Sequence, residues 1–478
     1  MNILAIDQGT SSTTALVVGP GGEVLGTGRS SLATLAGPGG AVEQDAAALL
    51  DSVIAAGRSA LSDAGVPVSA VGLGNQGETV LRWDVASGEP LGNAISWQDR
   101  RAVDVTVELQ EHADRLLEIT GLPLDPYFAA PKMAWLRRRD GPEGVITTVD
   151  AWVTSRLTGA FVTDAATASR TMLLDLQSVE RSPEACDIFG LQPELQPEIV
   201  SCDSEVGETD AFGPRLPVSG LAVDQQAALF AESCFEPGTA KCTYGTGAFV
   251  LANAGSSPPR SASRLAACVA WMLGDRTTYC LDGQVYTAAS AVTWLEQIGM
   301  LQGAHQLDEL CGPVPPSNDS PVFVPALAGL GAPHWAPQAR GGWLGLSLAS
   351  SRRDLVRALV WGIAAQVTIL AGAMSTDAGG PVPALRVDGG LSRSRALLQA
   401  QADLLQAPVE LYPSPDATAL GIAALARLGA SGASSPQDAV GDWRPAAVFE
   451  PRMGAQQAAE LIEIHSAAAR ALIGFHER

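Results

Sequence analysis

Short apolar runs that end in an acid or a small turn alternate along this chain with longer stretches of helical spacing. The first run is the most informative. Leu4-Ala5-Ile6-Asp7-Gln8-Gly9-Thr10-Ser11-Ser12-Thr13-Thr14-Ala15-Leu16-Val17-Val18 is apolar, then acidic, then small and hydroxyl-rich, then apolar again, and predicts a β-hairpin. Gly22-Glu23-Val24-Leu25 predicts a third strand of the same meander. Residues 45–64 have helical spacing, with Asp45 as N-cap and Gly65 just past the end. Residues 68–73 read as a buried strand and residues 80–83 as a shorter one. Three strands, a helix and a returning strand predict a mixed sheet with a covering helix. An acidic helix is expected over residues 103–118, and a loop that places side chains over residues 121–128. Residues 183–217, rich in proline, are expected to be irregular.

Near residue 233 the pattern restarts. Ala240-Lys241-Cys242-Thr243-Tyr244-Gly245-Thr246-Gly247-Ala248-Phe249-Val250-Leu251-Ala252 is again apolar strand, Gly/Thr turn, apolar strand. A long apolar helix is expected over residues 353–377, a strand ending in Asp388-Gly389-Gly390, and a helix over 394–406. A strand over 409–411, a helix of small residues over 417–428 and a final amphipathic helix over 456–472 follow. Residues 429–443 read as a loose surface segment. No close sequence repeat links the halves, yet each opens on a phosphate-type turn. The expectation is an α/β chain of duplicated architecture, divided into residues 1–232 and 233–478.

Composition narrows the class. At 478 residues and 46% hydrophobic, the chain has enough apolar surface for at least two cores. A formal net charge of −21 argues against a nucleic-acid or anionic-membrane partner. It does not argue against a nucleotide, whose site needs only local dipoles and a metal ion. Lysine occurs twice, as Lys132 and Lys241, so arginine carries nearly all the positive charge. Seven scattered cysteines without a C-x-x-C pair point to free thiols and a cytoplasmic location. The most membrane-like window, residues 356–374, carries Arg357 and Gln366 and is expected to be a buried core helix.

Three glycine-bearing turns carry candidate chemistry: Gly9-Thr10-Ser11-Ser12, Gly245-Thr246-Gly247 and Gly389-Gly390. Glycine lets backbone N–H groups approach a phosphate. None matches a P-loop or dinucleotide fingerprint, and each taken alone is as well explained by a tight connection. Asp7, at the end of the first strand, suits a magnesium ion carried by that phosphate. Asp224 lies between an apolar strand and a helix, where it is either an N-cap or a general base. Glu78 ends another strand as a hydroxyl-binding acid or a solvated turn acid. Trp97 is either a face for the carbon skeleton of a sugar or a core tryptophan. Asp99 with Arg100 or Arg101 reads as a structural ion pair. The five histidines show no metal spacing.

Taken together, the chain resembles the FGGY carbohydrate kinases. The matching stretches are Asp7-Gln8-Gly9-Thr10, Trp97-Gln98-Asp99-Arg100-Arg101, residues 121–128 and Ala168-Ser169-Arg170-Thr171-Met172-Leu173. They continue through Asp224-Gln225-Gln226-Ala227-Ala228-Leu229-Phe230, Thr243-Tyr244-Gly245-Thr246-Gly247, Leu330-Gly331-Ala332-Pro333-His334-Trp335 and Arg386-Val387-Asp388-Gly389-Gly390. The resemblance implies the actin-like ATPase (ribonuclease H-like) fold, with two mixed-sheet domains flanking a cleft. It implies ATP with Mg2+ as phosphoryl donor and a small polyol or sugar as acceptor, glycerol first among them. Residues 1–232 would form the acceptor and phosphate side, and residues 233–478 the nucleotide side. Asp224 would be the general base. Glu78, Tyr127, Asp224, Gln225, Trp97 and the Gly77 position would face the acceptor. Thr10, Ser11, Ser12, Gly245, Thr246, Ala289, Gly390 and Ser394 would hold the nucleotide and its phosphates, with Asp7 near the metal. Members of the family are often homodimers or homotetramers, and the sequence carries no interface signature.

Two positions depart from the glycerol-using pattern. Gly77 stands where an arginine usually contacts the acceptor, and Thr14 where one usually lies near the phosphates. Losing a charged donor is worth roughly 1.5–3 kcal/mol, about ten- to a hundred-fold in affinity. Arg82, five residues beyond Gly77, faces the opposite side of an extended strand and is a poor substitute. Ala289, Thr293 and Ser394 are milder replacements. The alternatives are therefore a kinase for a longer polyol or ketose and, from another class, a nucleotide-dependent binding protein that has lost transfer. Intact Asp7 and Asp224 argue against the last.

Overall fold

In a computed structural model, which describes residues 1–431 and 435–476, two large sheets carry the chain. The opening hairpin forms as expected: Ile3–Gln8 pairs antiparallel with Ser12–Val18, and Val24–Ser31 extends it. Helix Ala46–Ala64 then crosses this sheet. The Asp45 carboxylate accepts from the Ala48 N–H at 2.8 Å, and Gly65 closes the helix at φ 60. The helix delivers the chain to Ala70–Asn75, parallel to the first strand. Leu216–Val223 lies parallel beyond that, and Glu205–Thr209 forms the edge.

The second sheet repeats the plan. Ala240–Tyr244 and Ala248–Gly255 form an antiparallel hairpin that Arg276–Val285 extends. Leu385–Asp388 and then Val409–Leu411 run parallel on the other side. Helix Arg352–Ala378 lies between in sequence and starts at a Ser351–Asp354 capping box. It is long and apolar enough to cross a membrane, but 67% of its most apolar window is buried, so it is the core helix its composition predicted. Because the inner strands are parallel, their C-terminal ends share one edge in each sheet. Gln8, Asn75 and Asp224 meet at the edge of the first; Tyr244 and Asp388 meet at that of the second.

Small residues join the two sheets. Helix Ala417–Ser431 packs on the first sheet and on helix Asp224–Ala231. A Cβ at Gly72 would lie 2.7 Å from Ile422 Cγ2, and one at Gly220 would lie 2.5 Å from Ala426 Cα. Gly421 meets the Ala227 carbonyl with no room for a Cβ. Close approach of backbones, not chain flexibility, is what these glycines provide.

Three expectations change. The acidic helix breaks into Val103–Glu108, a short 3-10 turn Gln110–His112, and Ala113–Thr120. Glu108, Gln110 and Glu111 are exposed there, so little apolar surface holds the junction straight. Residues 183–217 are not irregular. Pro183 occupies the first turn of helix Pro183–Phe189, capped by Ser182 and closed by Gly190, and two strands of the first sheet follow. Proline at the first helical position favours a helix start, which a reading by proline content misses. Within 429–443, the helix runs on to Ser431 and Pro436–Val440 is a short helix, while residues 432–434 lie outside the described residues.

Candidate active site

The first turn is held by side chains from three segments. Gln44 donates to the Thr10 carbonyl at 2.5 Å, and Gln8 to the Gly9 carbonyl at 2.7 Å. Gln76 donates to both Gln8 and Gln44, at 3.1 and 3.0 Å, which closes a buried amide network under the turn. Leu32 N–H donates to the Ser11 carbonyl, so the turn is fixed from the third strand as well. Ser12 opens the second strand. Trp97 donates from Nε1 to Thr10 Oγ1 at 2.8 Å. That bond ties the phosphate-type turn to the wall expected to face the acceptor.

The wall is aromatic. Trp97 meets Tyr127 edge-on at 5.8 Å and Phe249, from the second hairpin, at 6.3 Å. The Tyr127 loop is pinned from below by Lys132, a buried ammonium that donates to the carbonyls of Pro126, Tyr127 and Phe128. Burial brings that ammonium down to about 7, against the pull of Glu78. Behind the wall sits Arg170, 1% exposed. Its Nε donates to Glu78, Nη1 to Asp282 at 2.7 Å and Nη2 to the Tyr127 hydroxyl at 3.2 Å. Glu78 sits at φ 39 in a tight turn after Gly77. Burial pushes Glu78 up to about 7 even with Arg170 on it.

The acids of the cleft repel one another. Burial, Asp224 and Asp416 together push Asp7 up to about 7. Asp224 is also raised by burial, opposed first by Lys241 and then by Arg170. Its Oδ1 accepts from the Gln225 N–H at 2.7 Å at the start of helix Asp224–Ala231. Lys241, from the second sheet, donates to Gln225 Oε1 at 2.5 Å.

The second turn is set against a helix start. Ala289 N–H donates to the Gly245 carbonyl at 3.0 Å, and Ala288 N–H to the Thr246 carbonyl at 2.9 Å. Gly389, at φ 90, packs on Tyr244, whose carbonyl oxygen an added Cβ would meet at 2.6 Å. Gly390 has open space on its free side. Ser394 caps helix Arg395–Leu405, and its hydroxyl donates to Asp308 at 2.8 Å.

Of the residues marked in the sequence, Thr10, Trp97, Tyr127 and Glu78 join in one contact network through Arg170. Asp224 and Gln225 lie at the neighbouring strand end, where the Asp224 charge acts on both Glu78 and Tyr127. Ala289 joins the second turn, whereas Ser394 lies at a separate helix start, bonded to Asp308. Arg82 donates to the carbonyls of Asp140, Glu143 and Leu91, away from Gly77. Thr14 pairs in register with Arg29, which reaches Asp416 at 3.0 Å and supplies a cation on this edge. Arg101 bonds Asp99 and Glu43 at 2.7 Å each, the expected structural pair. Arg170, Asp282, Phe249 and Lys241 were not singled out from sequence, although Arg170, Phe249 and Lys241 lie within or beside stretches that were.

Comparison with known proteins agrees with this geometry. Residues 2–231 match the N-terminal domain of the FGGY family of carbohydrate kinases, and residues 240–430 match its C-terminal domain. A glycerol kinase of Alkalilimnicola ehrlichii is 41% identical over 471 residues, covering 94% of each chain. One of Aromatoleum aromaticum is 40% identical over 470 residues, with the same coverage. Among solved structures, Plasmodium falciparum glycerol kinase with ADP superposes with a TM-score of 0.92 at 28% identity, covering 98% of each chain. Xylulose kinase from Rhodospirillum rubrum shares the fold, with a TM-score of 0.90 at 24% identity over 100% of each chain. The repeated sheets, with strand ends and turns meeting at a cleft, are thus those of the actin-like ATPase fold. The chain belongs to the FGGY family of carbohydrate kinases, phosphotransferases that pass the phosphoryl group of ATP to an alcohol.

Proposed function

We propose that this enzyme phosphorylates a terminal hydroxyl of glycerol. The observation that carries the reading is an aromatic wall of Trp97, Tyr127 and Phe249 with Glu78 behind it, and with Asp224, followed by Gln225, close enough for its charge to act on Glu78 and Tyr127. An aromatic wall suits the carbon face of a three-carbon polyol, and the acids and amide suit its hydroxyls. The relatives named glycerol kinase cover nearly the whole chain.

Phosphoryl transfer asks mostly for positioning and charge stabilisation. Asp224 takes the proton of the attacking hydroxyl as the new O–P bond forms and the bond from the γ-phosphorus to the ADP oxygen breaks, with ADP leaving. Thr10, Ser11 and Ser12 present hydroxyls and backbone N–H groups to the transferred phosphate. Gly245, Thr246, Ala289, Gly390 and Ser394 hold the nucleotide. Residues 1–232 then supply the acceptor and phosphate side, and residues 233–478 the nucleotide side, with Phe249 and Lys241 reaching across. The donor set around Asp7 fits Mg2+: its oxygens are hard, and both charges that bear on it are acids. Mg2+ bound there would offset the charge of the phosphates. Closure of the cleft excludes water as a competing acceptor. Seven free, buried cysteines fit a cytoplasmic enzyme, and a homodimer or homotetramer is the assembly the family favours.

A longer polyol or a ketose is the second reading, favoured by Gly77, which leaves the corner beside Arg170 without a side chain. An ATP-coupled assay of ADP release across glycerol, four- and five-carbon polyols and ketoses separates the two. Glycerol is expected to give the highest kcat/KM; inert glycerol beside an active longer polyol transfers the assignment. Asp224→Asn is expected to bind ATP and lose transfer, and an active variant removes Asp224 as the base.

A further inference from the structure

Both lysines of this chain are buried beside the cleft, and they do different work. Lys132 closes a loop on three carbonyls. Lys241 reaches from the second sheet to the helix that carries Asp224. It is fully buried, and its Nζ donates to Gln225 Oε1 at 2.5 Å and to Thr243 Oγ1 at 2.7 Å.

That contact removes an ambiguity that a glutamine normally has. The carboxamide can present either its oxygen or its NH2 group to a neighbour. An ammonium has donors only, so the Gln225 oxygen must face Lys241. The NH2 group is then directed away from Lys241, on the residue whose backbone N–H donates to Asp224 Oδ1 at 2.7 Å. Gln225 is partly exposed, so its NH2 group can meet a ligand. A hydroxyl placed there receives a hydrogen bond on its oxygen from Gln225. Its own proton is left to point at Asp224, the direction in which it must leave.

Buried acids lie near Lys241. Glu232, at the end of the Asp224 helix, is fully buried with no hydrogen-bond partner for either carboxylate oxygen among the described residues, and Asp388 has one such oxygen. The Lys241 charge acts on Glu232, Asp388 and Asp224 alike. Arg386, which donates to the Glu232 carbonyl, and Arg170 complete the cationic side.

We propose that Lys241 is a positioning residue for the acceptor: by fixing the Gln225 oxygen it turns the amide NH2 toward Asp224 and the acceptor hydroxyl, and so sets which group donates and which accepts. The inference rests on Asp224 and Gln225 facing the acceptor, as under the proposed function. It adds a cause for their polarity that comes from the opposite sheet.

A double-mutant cycle tests it. Glycerol kcat and KM at saturating ATP are measured for the wild type, Lys241→Met, Gln225→Leu and the double variant. Each single change is expected to raise the glycerol KM about tenfold, the size of one lost hydrogen bond to a charged or oriented group. Because Lys241 acts through Gln225, the double variant should be no worse than about the poorer single one. The KM for ATP should stay within about threefold, which general damage to the fold would not spare. Losses that multiply to roughly a hundredfold in the double variant overturn the proposal. If Lys241→Met does not fold, Gln225→Glu decides. It keeps an oxygen for Lys241 but replaces the NH2 donor, so its glycerol KM should rise at least as far as that of Gln225→Leu. A wild-type KM in Gln225→Glu overturns the proposal. Failure of the underlying reading looks different: no acceptor of the panel releases ADP, or Asp224→Asn stays active.

Discussion

Arg170→Met tests whether the buried hub behind the acceptor wall is held by charge. The wild-type guanidinium serves Glu78, Asp282 and the Tyr127 hydroxyl, and both carboxylates are buried. Methionine keeps much of the volume and removes the fork. Breaking a buried pair by deleting one partner costs about 3–5 kcal/mol, because the remaining charge stays desolvated. Two acids are left here, so the upper part of that range is expected near pH 8. The cost should fall as pH drops. Glu78 already stands at about 7, raised by burial, so the folded state holds its proton more tightly than the unfolded chain does. A group raised in this way contributes stability below its unfolded value and loses it as pH rises through the folded value. Arg170 opposes that rise; without it the folded value moves higher and the loss extends further above pH 7. The slope from Glu78 is at most about 1.4 kcal/mol per pH unit. Urea unfolding of the wild type, Arg170→Met and Arg170→Met/Glu78→Gln at pH 6, 7 and 8 measures this. The single variant should lose most at pH 8, and the double variant should recover part of the loss. A penalty under about 1 kcal/mol at pH 8, or one independent of pH, refutes the argument.

Gly77→Ala is expected to lower stability by about 1–2 kcal/mol, since φ is 67 and the new Cβ would lie 2.9 Å from Val223 Cγ2. Val223 precedes Asp224, so kcat should fall too; an unchanged melting temperature and kcat defeat this account. Asp164 is buried and pushed up to about 7, first by burial and then by Asp150. Its contribution to stability is therefore lost as pH rises toward 8. Asp164→Asn keeps an oxygen for the Thr167 N–H, which now lies 3.0 Å away, but does not titrate. The stability of Asp164→Asn relative to the wild type should increase from pH 5 to pH 8 in denaturant titrations, and a flat difference rules the linkage out.

The legible parts of the site were those that a short stretch encodes whole. The first turn, its acid and its two strands lie within fifteen residues, and the hairpin forms with Asp7 opposite Thr14. Asp224 was visible as a strand-to-helix acid, and helix Asp224–Ala231 begins there. The second hairpin was visible in the same way, but Phe249 and Lys241 within it read as strand residues. Nothing local tells which face of a strand will meet a cleft. Arg170 stood inside a quoted motif, yet its partner Asp282 lies 112 residues away. The scarcity of lysine was the one available signal for Lys241, since a residue used twice in the whole chain is worth locating.

The sequence by itself determined where strands, helices and turns begin and end, wherever caps and alternation are local. It marked the hairpin turns and the core helix, because φ-permissive glycines and apolar spacing act over a few residues. The tertiary structure decided which charges are buried and what holds them. Arg170, Lys241, Glu232 and Asp388 acquire their roles from strand ends brought together across two sheets. A charge in an extended chain is hydrated whatever its neighbours in sequence. Only packing removes that water, and only then do its partners, its orientation and its protonation follow from contact.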